Sequence, residues 1–256
     1  MQSVGRAIRL LELVAEHPGQ LGVTELGRRI GVHKTTAFRL VSTLADAGLL
    51  ERQAGTDKYR PGFGLVRLAT TTLADLDVVR QARPVLEVLA EATQETVNLA
   101  VLEGPEVVNV DQVAGSHAVV NVNWVGKRTP LHCTSNGKIL LAHLPETDWD
   151  RALGRALERR TSRTVVDPQV LRAQLRQARA RGYAYTIEEL EVGLNAVAAP
   201  VRGPDRTVIA AVSVAGPAYR LTPERIPELA RAVVDAGAEI SRHMGHTERR
   251  ESVVAD

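Results

Sequence analysis

The chain has 256 residues, 44% of them hydrophobic and 24% charged, and a formal net charge of +2. That length is room for two domains, and the composition is that of a folded globular protein rather than a disordered or fibrous one. It contains no run of about 18 apolar residues that would read as a membrane-spanning helix, and Arg6 and Arg9 interrupt any secretory pattern at the N-terminus. The single cysteine, Cys133, excludes an intrachain disulfide and fits a reducing cytoplasm. The charge is uneven: residues 1–60 carry nine Lys/Arg against six Asp/Glu, and the remainder is slightly acidic.

Residues 3–16 read as an amphipathic helix with Val4, Ala7, Leu11 and Val14 on one side, stopped by His17-Pro18-Gly19. Two shorter helices follow. Thr24 is placed to cap the first, whose apolar face is Leu26 and Ile30 and whose end is Gly31. The second runs from Lys34 to Ala47, with Ala37, Leu40, Val41 and Leu44 at i, i+3, i+4 and i+7 facing inward. Its outer face carries Lys34, Thr35, Thr36, Arg39 and Ser42, donors suited to phosphates and base edges, with His33 at the tip. Thr24 is a further candidate contact. The arrangement is a helix-turn-helix. Leu49–Arg52, a turn at Ala54–Asp57 and a return strand at Lys58–Arg60 add a basic hairpin, so the expected unit is winged. Arg52, Lys58, Tyr59 and Arg60 are its candidate contacts to the DNA backbone.

Pro61-Gly62-Phe63-Gly64 punctuates the chain, and the domain boundary is placed there. Leu65, Leu68, Leu73 and Leu76 suggest a linker helix, and a further helix is expected from Val78 to Ala92, kinked or restarted at Pro84. From Thr96 the period changes to that of strands: 97–104, 106–115 and 118–126 are β-rich. A loop over 126–130 leads to a helix capped by Ser135 and ending near His143, then a helix over 146–157. Thr164–Val166 is extended, Asp167-Pro168 opens a helix to Arg181, and strand, loop, strand follow Gly182. A β-run over 207–214 and a last helix over 223–243, with Ile226, Leu229, Val233 and Ile240 inward, complete an α+β domain. The divisions expected are 1–62, a helical linker 63–79, a second domain 80–246 and a charged tail 247–256.

The catalytic patterns fail on inspection. Ser135-Asn136-Gly137-Lys138 has the S-x-x-K spacing of serine β-lactamases, but no S-D-N or K-T-G follows. Glu188, Glu189 and Glu191 have no evident titrating partner. The seven histidines lack metal-ligand spacing, and His132 and Cys133, adjacent in an expected strand, would point to opposite faces. Neither metal nor cofactor is expected. The Ser135 segment reads better as a helix N-terminus whose free amides favour an anion.

The blocks SVGRAIRLLELVAEHPG, VTELGRRIGVHKTTAFRLVSTLADAGLLER and DKYRPG, followed by GKRTPLHCTSNGKILLAHL, RGYAYTIEELEVGLNAVAAPV and AVSVAGPAYRLT, resemble the IclR-type transcriptional regulators over nearly the whole chain. The resemblance implies a winged N-terminal domain, a helical linker and a GAF-like effector domain, an antiparallel sheet with flanking helices. It implies a homodimer or homotetramer that binds an inverted-repeat operator, and a small-molecule effector. The chain departs from relatives at Ile187, where an acidic residue can be found, and at Ala196 and Ala215, where Cys and Ser can be found. These departures point to a mainly apolar organic acid as effector, and the protein is expected to be a repressor whose operator binding that effector modulates. The expected site is Trp124, Leu131, Thr134, Ser135, Asn136, Thr186, Ile187, Val192, Ala196 and Ser213. An enzyme with a DNA-binding appendage is the alternative, disfavoured for want of a catalytic constellation.

Overall fold

A computed structural model describes residues 2–68, 77–116, 123–153 and 157–246. The chain divides into two compact units, Met1–Leu76 and Asp77–Asp256. Among the described residues no helix is long and apolar enough to cross a membrane.

The first unit is built from α1 (Gln2–Glu16), β1 (Leu21–Gly22), α2 (Val23–Arg29), α3 (Lys34–Asp46), β2 (Leu50–Arg52), β3 (Lys58–Pro61) and a helix α4, of which 63–68 are described. Leu10, Leu13 and Val14, at i, i+3 and i+4 of α1, meet Leu26 of α2 and Val41 and Leu44 of α3 in one core. Of the expected α1 face, Val14 lies in this core and Ala7 and Leu11 pack against it, whereas Val4 is 67% exposed and Leu10 and Leu13 carry the buried stripe instead. The wing has three strands in the order β1-β3-β2, with Leu21 opposite Tyr59 and Arg52 opposite Tyr59 on the other side. The strand β1 is too short to show a period and was not foreseen. Thr24 does not cap α2: the helix begins one residue earlier, behind Gly22, and receives no side-chain cap.

The Pro61–Gly64 punctuation is a packing feature rather than a free boundary. A Cβ on Gly62 would lie 2.3 Å from the carbonyl oxygen of Gly48, and one on Gly64 2.7 Å from the same atom. Only glycine lets this backbone lie against the turn that ends α3, where the Gly64 amide donates to the Gly48 carbonyl at 2.8 Å. The start of α4 is thereby tied to the end of α3. The expected linker residues Leu73 and Leu76, like the strand residues 118–122 and the tail 247–256, lie outside the described residues.

The second unit contains α5 (Asp77–Thr93), β4 (Thr96–Glu103), β5 (Glu106–Val113), β6 (Arg128–Pro130), α6 (Ser135–His143), α7 (Glu146–Leu153), α8 (Pro168–Arg181), β7 (Ala184–Ile187), β8 (Leu194–Arg202), β9 (Val208–Pro217), a 3-10 turn (Pro223–Arg225) and α9 (Ile226–His243). The helix α5 runs through Pro84 without the expected restart. Part of the expected loop over 126–130 is a strand, β6, added to the edge of β5. Thr164–Val166 joins no ladder.

The six strands are antiparallel in the order β6-β5-β4-β9-β8-β7. Helices α5 and α9 pack together on one face, and α6 and α8 pack on the other. Alternation along the strands assigns different residues to the two faces. Val97, Leu99, Val197, Val201, Val212 and Val214 share the α5/α9 side. Ala100, Ala184, Ala198 and Ala211 share the α6/α8 side, where the helices themselves supply the bulk through Ile139, Leu140 and Leu141. Small strand residues let α6 come close, and all of Ser135–Ala142 is buried. A helix buried all round has no amphipathic stripe to announce it.

Candidate nucleic-acid interface and ligand pocket

On α3, Ala37, Val41 and Leu44 are buried, and Lys34, Thr35, Thr36, Phe38 and Arg39 are exposed. Ser42 is half-buried at the margin of that surface, and Thr24 is exposed in the first turn of α2. His33 caps α3: its Nδ1 accepts from the Thr35 amide at 3.4 Å and lies 2.6 Å from the Thr35 hydroxyl. Its ring is thereby held at the helix tip. Among the described residues neither Lys34 nor Arg39 has a carboxylate partner, so both cations are free for phosphates or base edges.

In the wing, Lys58 is exposed and also lacks a carboxylate partner among the described residues. Arg52 donates through Nε to the Thr56 carbonyl at 2.8 Å, which stiffens the turn. Arg60 is paired with Glu51 at 3.1 Å across the hairpin. Tyr59 is no surface contact. It alternates inward between Lys58 and Arg60, is 8% exposed, and packs with Leu21 and Leu50 in the core. Phe38, missed in the sequence reading, is 55% exposed on the otherwise polar surface of α3.

In the second unit, one pocket is lined by Asn98, Asn109, Trp124, Thr129, Thr134, Ser135, Asn136, Thr186, Leu190, Leu194, Ala196, Ser213 and Ala215. It spans about 490 Å³ of atom-free space, part of it open to solvent, and about 50 Å³ admits the centre of a water-sized sphere. At roughly 10–15 Å³ of such volume per water, the occupant is small. The floor is a row across three strands, with Thr186 opposite Ala196 opposite Ala215, and a second row with Ser213 opposite Asn98.

Seven of the expected residues meet there: Trp124, Thr134, Ser135, Asn136, Thr186, Ala196 and Ser213. Three do not. Leu131 is packed into the α6/α8 core. Ile187 follows Thr186 on β7 and therefore points to the other face of the sheet. Val192 is 81% exposed in the loop after β7. The sequence reading did not include Asn98, Asn109, Thr129, Leu190 and Leu194, which come in from β4, β5, β6, the β7–β8 connection and the start of β8.

The pocket's wall at α6 is a helix start, and its cap is Thr134 rather than Ser135. Thr134 Oγ1 accepts from the Gly137 amide at 3.0 Å and donates to the Pro130 carbonyl at 2.8 Å. A Cβ on Gly137 would sit 2.3 Å from the Leu131 carbonyl oxygen, so this tight entry needs glycine. With the cap one residue earlier, the amides of Ser135 and Asn136 belong to the first turn and have no intrahelical acceptor. No charged side chain lines the pocket among the described residues. Any anionic group is therefore met by amides, carboxamides and hydroxyls. Among the described residues the buried side-chain oxygens of Asn136 and Asn98 have no hydrogen-bond partner.

Behind the wall, Lys138 Nζ donates to Glu189 Oε1 at 2.5 Å and to Gln174 Oε1 at 2.8 Å, with both charges buried. Burial pulls the lysine below its ordinary range, against the carboxylate beside it. Thr164 donates to the Glu189 carbonyl at 2.7 Å and Thr161 to the Glu188 carbonyl at 2.6 Å, so the loop is held just before Leu190. His132 and Cys133 lie in a bend, not a strand, and both are buried. His132 Nε2 donates to the Glu158 carbonyl at 2.9 Å. Burial pushes the Cys133 thiol up to about 11. Among the described residues no cluster of His, Cys, Asp and Glu could hold a metal ion.

A winged helix-turn-helix whose exposed helix face carries cations without a carboxylate partner among the described residues, joined in one chain to an α+β unit with a pocket lined by carboxamides and hydroxyls, defines a DNA-binding transcriptional regulator that senses a small molecule. The chain belongs to the IclR family: residues 3–54 match the IclR helix-turn-helix domain and residues 70–242 the bacterial transcriptional regulator IclR C-terminal domain. It is 37% identical over 250 residues to the HTH-type transcriptional regulator Rv1719 of Mycobacterium tuberculosis, spanning 98% of this chain and 95% of that one. It is 32% identical over 248 residues to the transcriptional repressor IclR of Escherichia coli, spanning 96% and 90%. Among solved structures, an IclR homolog from Microbacterium hydrocarbonoxydans complexed with 4-hydroxybenzoate superposes with a TM-score of 0.82 at 30% identity, over 94% of this chain and 98% of that one.

Proposed function

We propose that residues 1–62 read an inverted-repeat operator as a dimer or tetramer, that 63–79 connect the units, and that 80–246 bind a small organic acid which changes operator affinity. The observation that carries the ligand half is the pocket at the first turn of α6, lined by carboxamides and hydroxyls and, among the described residues, free of charged side chains. A carboxylate fits the Ser135 and Asn136 amides, and a small body fits against Trp124, Leu190, Leu194, Ala196 and Ala215. The 4-hydroxybenzoate in the Microbacterium homolog supports an organic acid of single-ring size. Relatives named as repressors, IclR of E. coli and the acetate operon repressor of Salmonella typhimurium, support repression as the mode of action.

The test is a thermal-shift screen of benzoate-class and short-chain acids, followed by calorimetry on hits. Asn136→Leu is expected to abolish binding of the hit while ligand-free operator binding stays near normal. Equal ligand affinity in Asn136→Leu and in the wild type places the site elsewhere.

A further inference from the structure

Phe38 stands apart on α3. It is one of two phenylalanines in the chain, and both are exposed, Phe38 at 55% and Phe63 at 78%. Single exposed apolar residues are ordinary on a protein surface and need no explanation by themselves. The setting of Phe38 is not ordinary. It lies four residues after Lys34, on the same side of the helix, and Arg39 follows about 100° further round, so the exposed surface of α3 carries an aromatic ring flanked by two cations that have no carboxylate partner among the described residues. It sits in the N-terminal half of the helix, which is the half that reaches base edges in a helix-turn-helix complex. The buried stripe of Ala37, Val41 and Leu44 already supplies the helix with its core contacts. The ring lies outside that stripe.

A phenyl ring cannot hydrogen-bond a base edge. The group it does match in the major groove is the C5-methyl of thymine, the one apolar feature in the code displayed there. We propose that Phe38 is a specificity-determining residue that reads a thymine methyl in each operator half-site, beside polar readout by Arg39. The inference rests on the DNA-binding role of α3 and adds to it the base that this position selects.

The experiment uses the full-length protein. Binding sites are selected from a random duplex pool, and each thymine of the enriched half-site is then replaced by uracil, which removes only the methyl group. Affinities are measured by fluorescence anisotropy for the wild type, Phe38→Ala and Phe38→Leu. Burying one methyl predicts that a single thymine position shows about a fourfold loss on uracil replacement, and about sixteenfold when both half-sites are replaced. In Phe38→Ala the thymine and uracil duplexes should bind equally, and Phe38→Leu should retain part of the difference. The proposal is overturned if the wild type ignores the methyl at every half-site thymine, or if Phe38→Ala keeps the full penalty. It is also overturned if Phe38→Ala alters the oligomeric mass in light scattering while leaving the thymine preference intact, which would make the ring a protein contact. A pool that yields no enriched sequence would refute the DNA-reading role of α3 itself, a result distinct from the other three.

Discussion

At the scale of single residues, the buried Lys138–Glu189 pair decides the most. Two charges taken out of water are tolerated only together, and removing one leaves the other unpaired. Glu189→Ala is expected to destabilise the protein by about 3–5 kcal/mol in urea denaturation, with loss of ligand affinity because the Leu190 loop is released. The double variant Lys138→Met with Glu189→Leu should recover much of the stability. Full stability in Glu189→Ala alone would show that the pair holds nothing. Cys133 gives a second test at this scale. Its thiol is raised to about 11 from 9.0 by burial, so between these values the unfolded chain loses a proton that the folded chain keeps. Stability contributed by Cys133 is therefore complete below about pH 9 and falls as pH rises through about 11, by at most about 1.4 kcal/mol per unit. Cys133→Ala should flatten the pH dependence of stability relative to the wild type across that window, and native Cys133 should resist thiol reagents at neutral pH. Identical slopes for the two proteins would refute this assignment. Residue-scale errors in the sequence reading have a common cause. In one dimension neither Tyr59, expected as a surface contact, nor Phe38, passed over, shows which face it takes. What separates them is that β3 is the middle strand of a wing whose third strand, two residues long, left no signal.

At the scale of elements, local chemistry was legible and long-range assembly was not. The turn ending α2 at Gly31, with φ 68, and the Asp167 cap with Pro168 behind it could be read directly, because each is a neighbour effect. The α6 cap was placed one residue late, since Thr134 and Ser135 offer the same hydroxyl chemistry and only the bond to Gly137 distinguishes them. The offset has a measurable consequence. Thr134→Ala should cost about 1–2 kcal/mol of stability and weaken ligand binding, whereas Ser135→Ala, which removes no cap bond, should cost less stability than Thr134→Ala and act chiefly on ligand binding. The reverse pattern would restore Ser135 as the cap. Asn98, Asn109 and Thr129 were beyond reach for a different reason. They enter the pocket because β9 inserts between β4 and β8, a pairing across more than a hundred residues that no local period encodes.

At the scale of the whole molecule, two kinds of DNA contact and one coupling remain to be separated. Arg39, on the exposed helix face, should contribute to base readout, so Arg39→Ala should relax sequence preference, with a loss of about 1–3 kcal/mol at the preferred site. Lys58, on the wing, should neutralise a phosphate, so Lys58→Ala should weaken all sequences alike and reduce the salt slope by about one. A sequence-dependent effect of Lys58→Ala would reverse these roles. The coupling obeys a stricter rule. A ligand alters operator binding only through unequal affinity for two states of the protein, and linkage then requires that operator DNA alter ligand affinity by the same factor. For a regulator of this kind the factor is about 5- to 150-fold, or about 1–3 kcal/mol. The ligand identified by calorimetry should therefore be titrated into the free protein and into the protein saturated with operator, and the ratio of the two affinities compared with the ratio of operator affinities with and without ligand. Ala196→Trp, which fills the pocket floor between Thr186 and Ala215, should abolish both ratios together. Loss of one ratio with retention of the other is thermodynamically impossible for a single coupled site. Such a result would mean that the ligand acts on DNA binding from a second location.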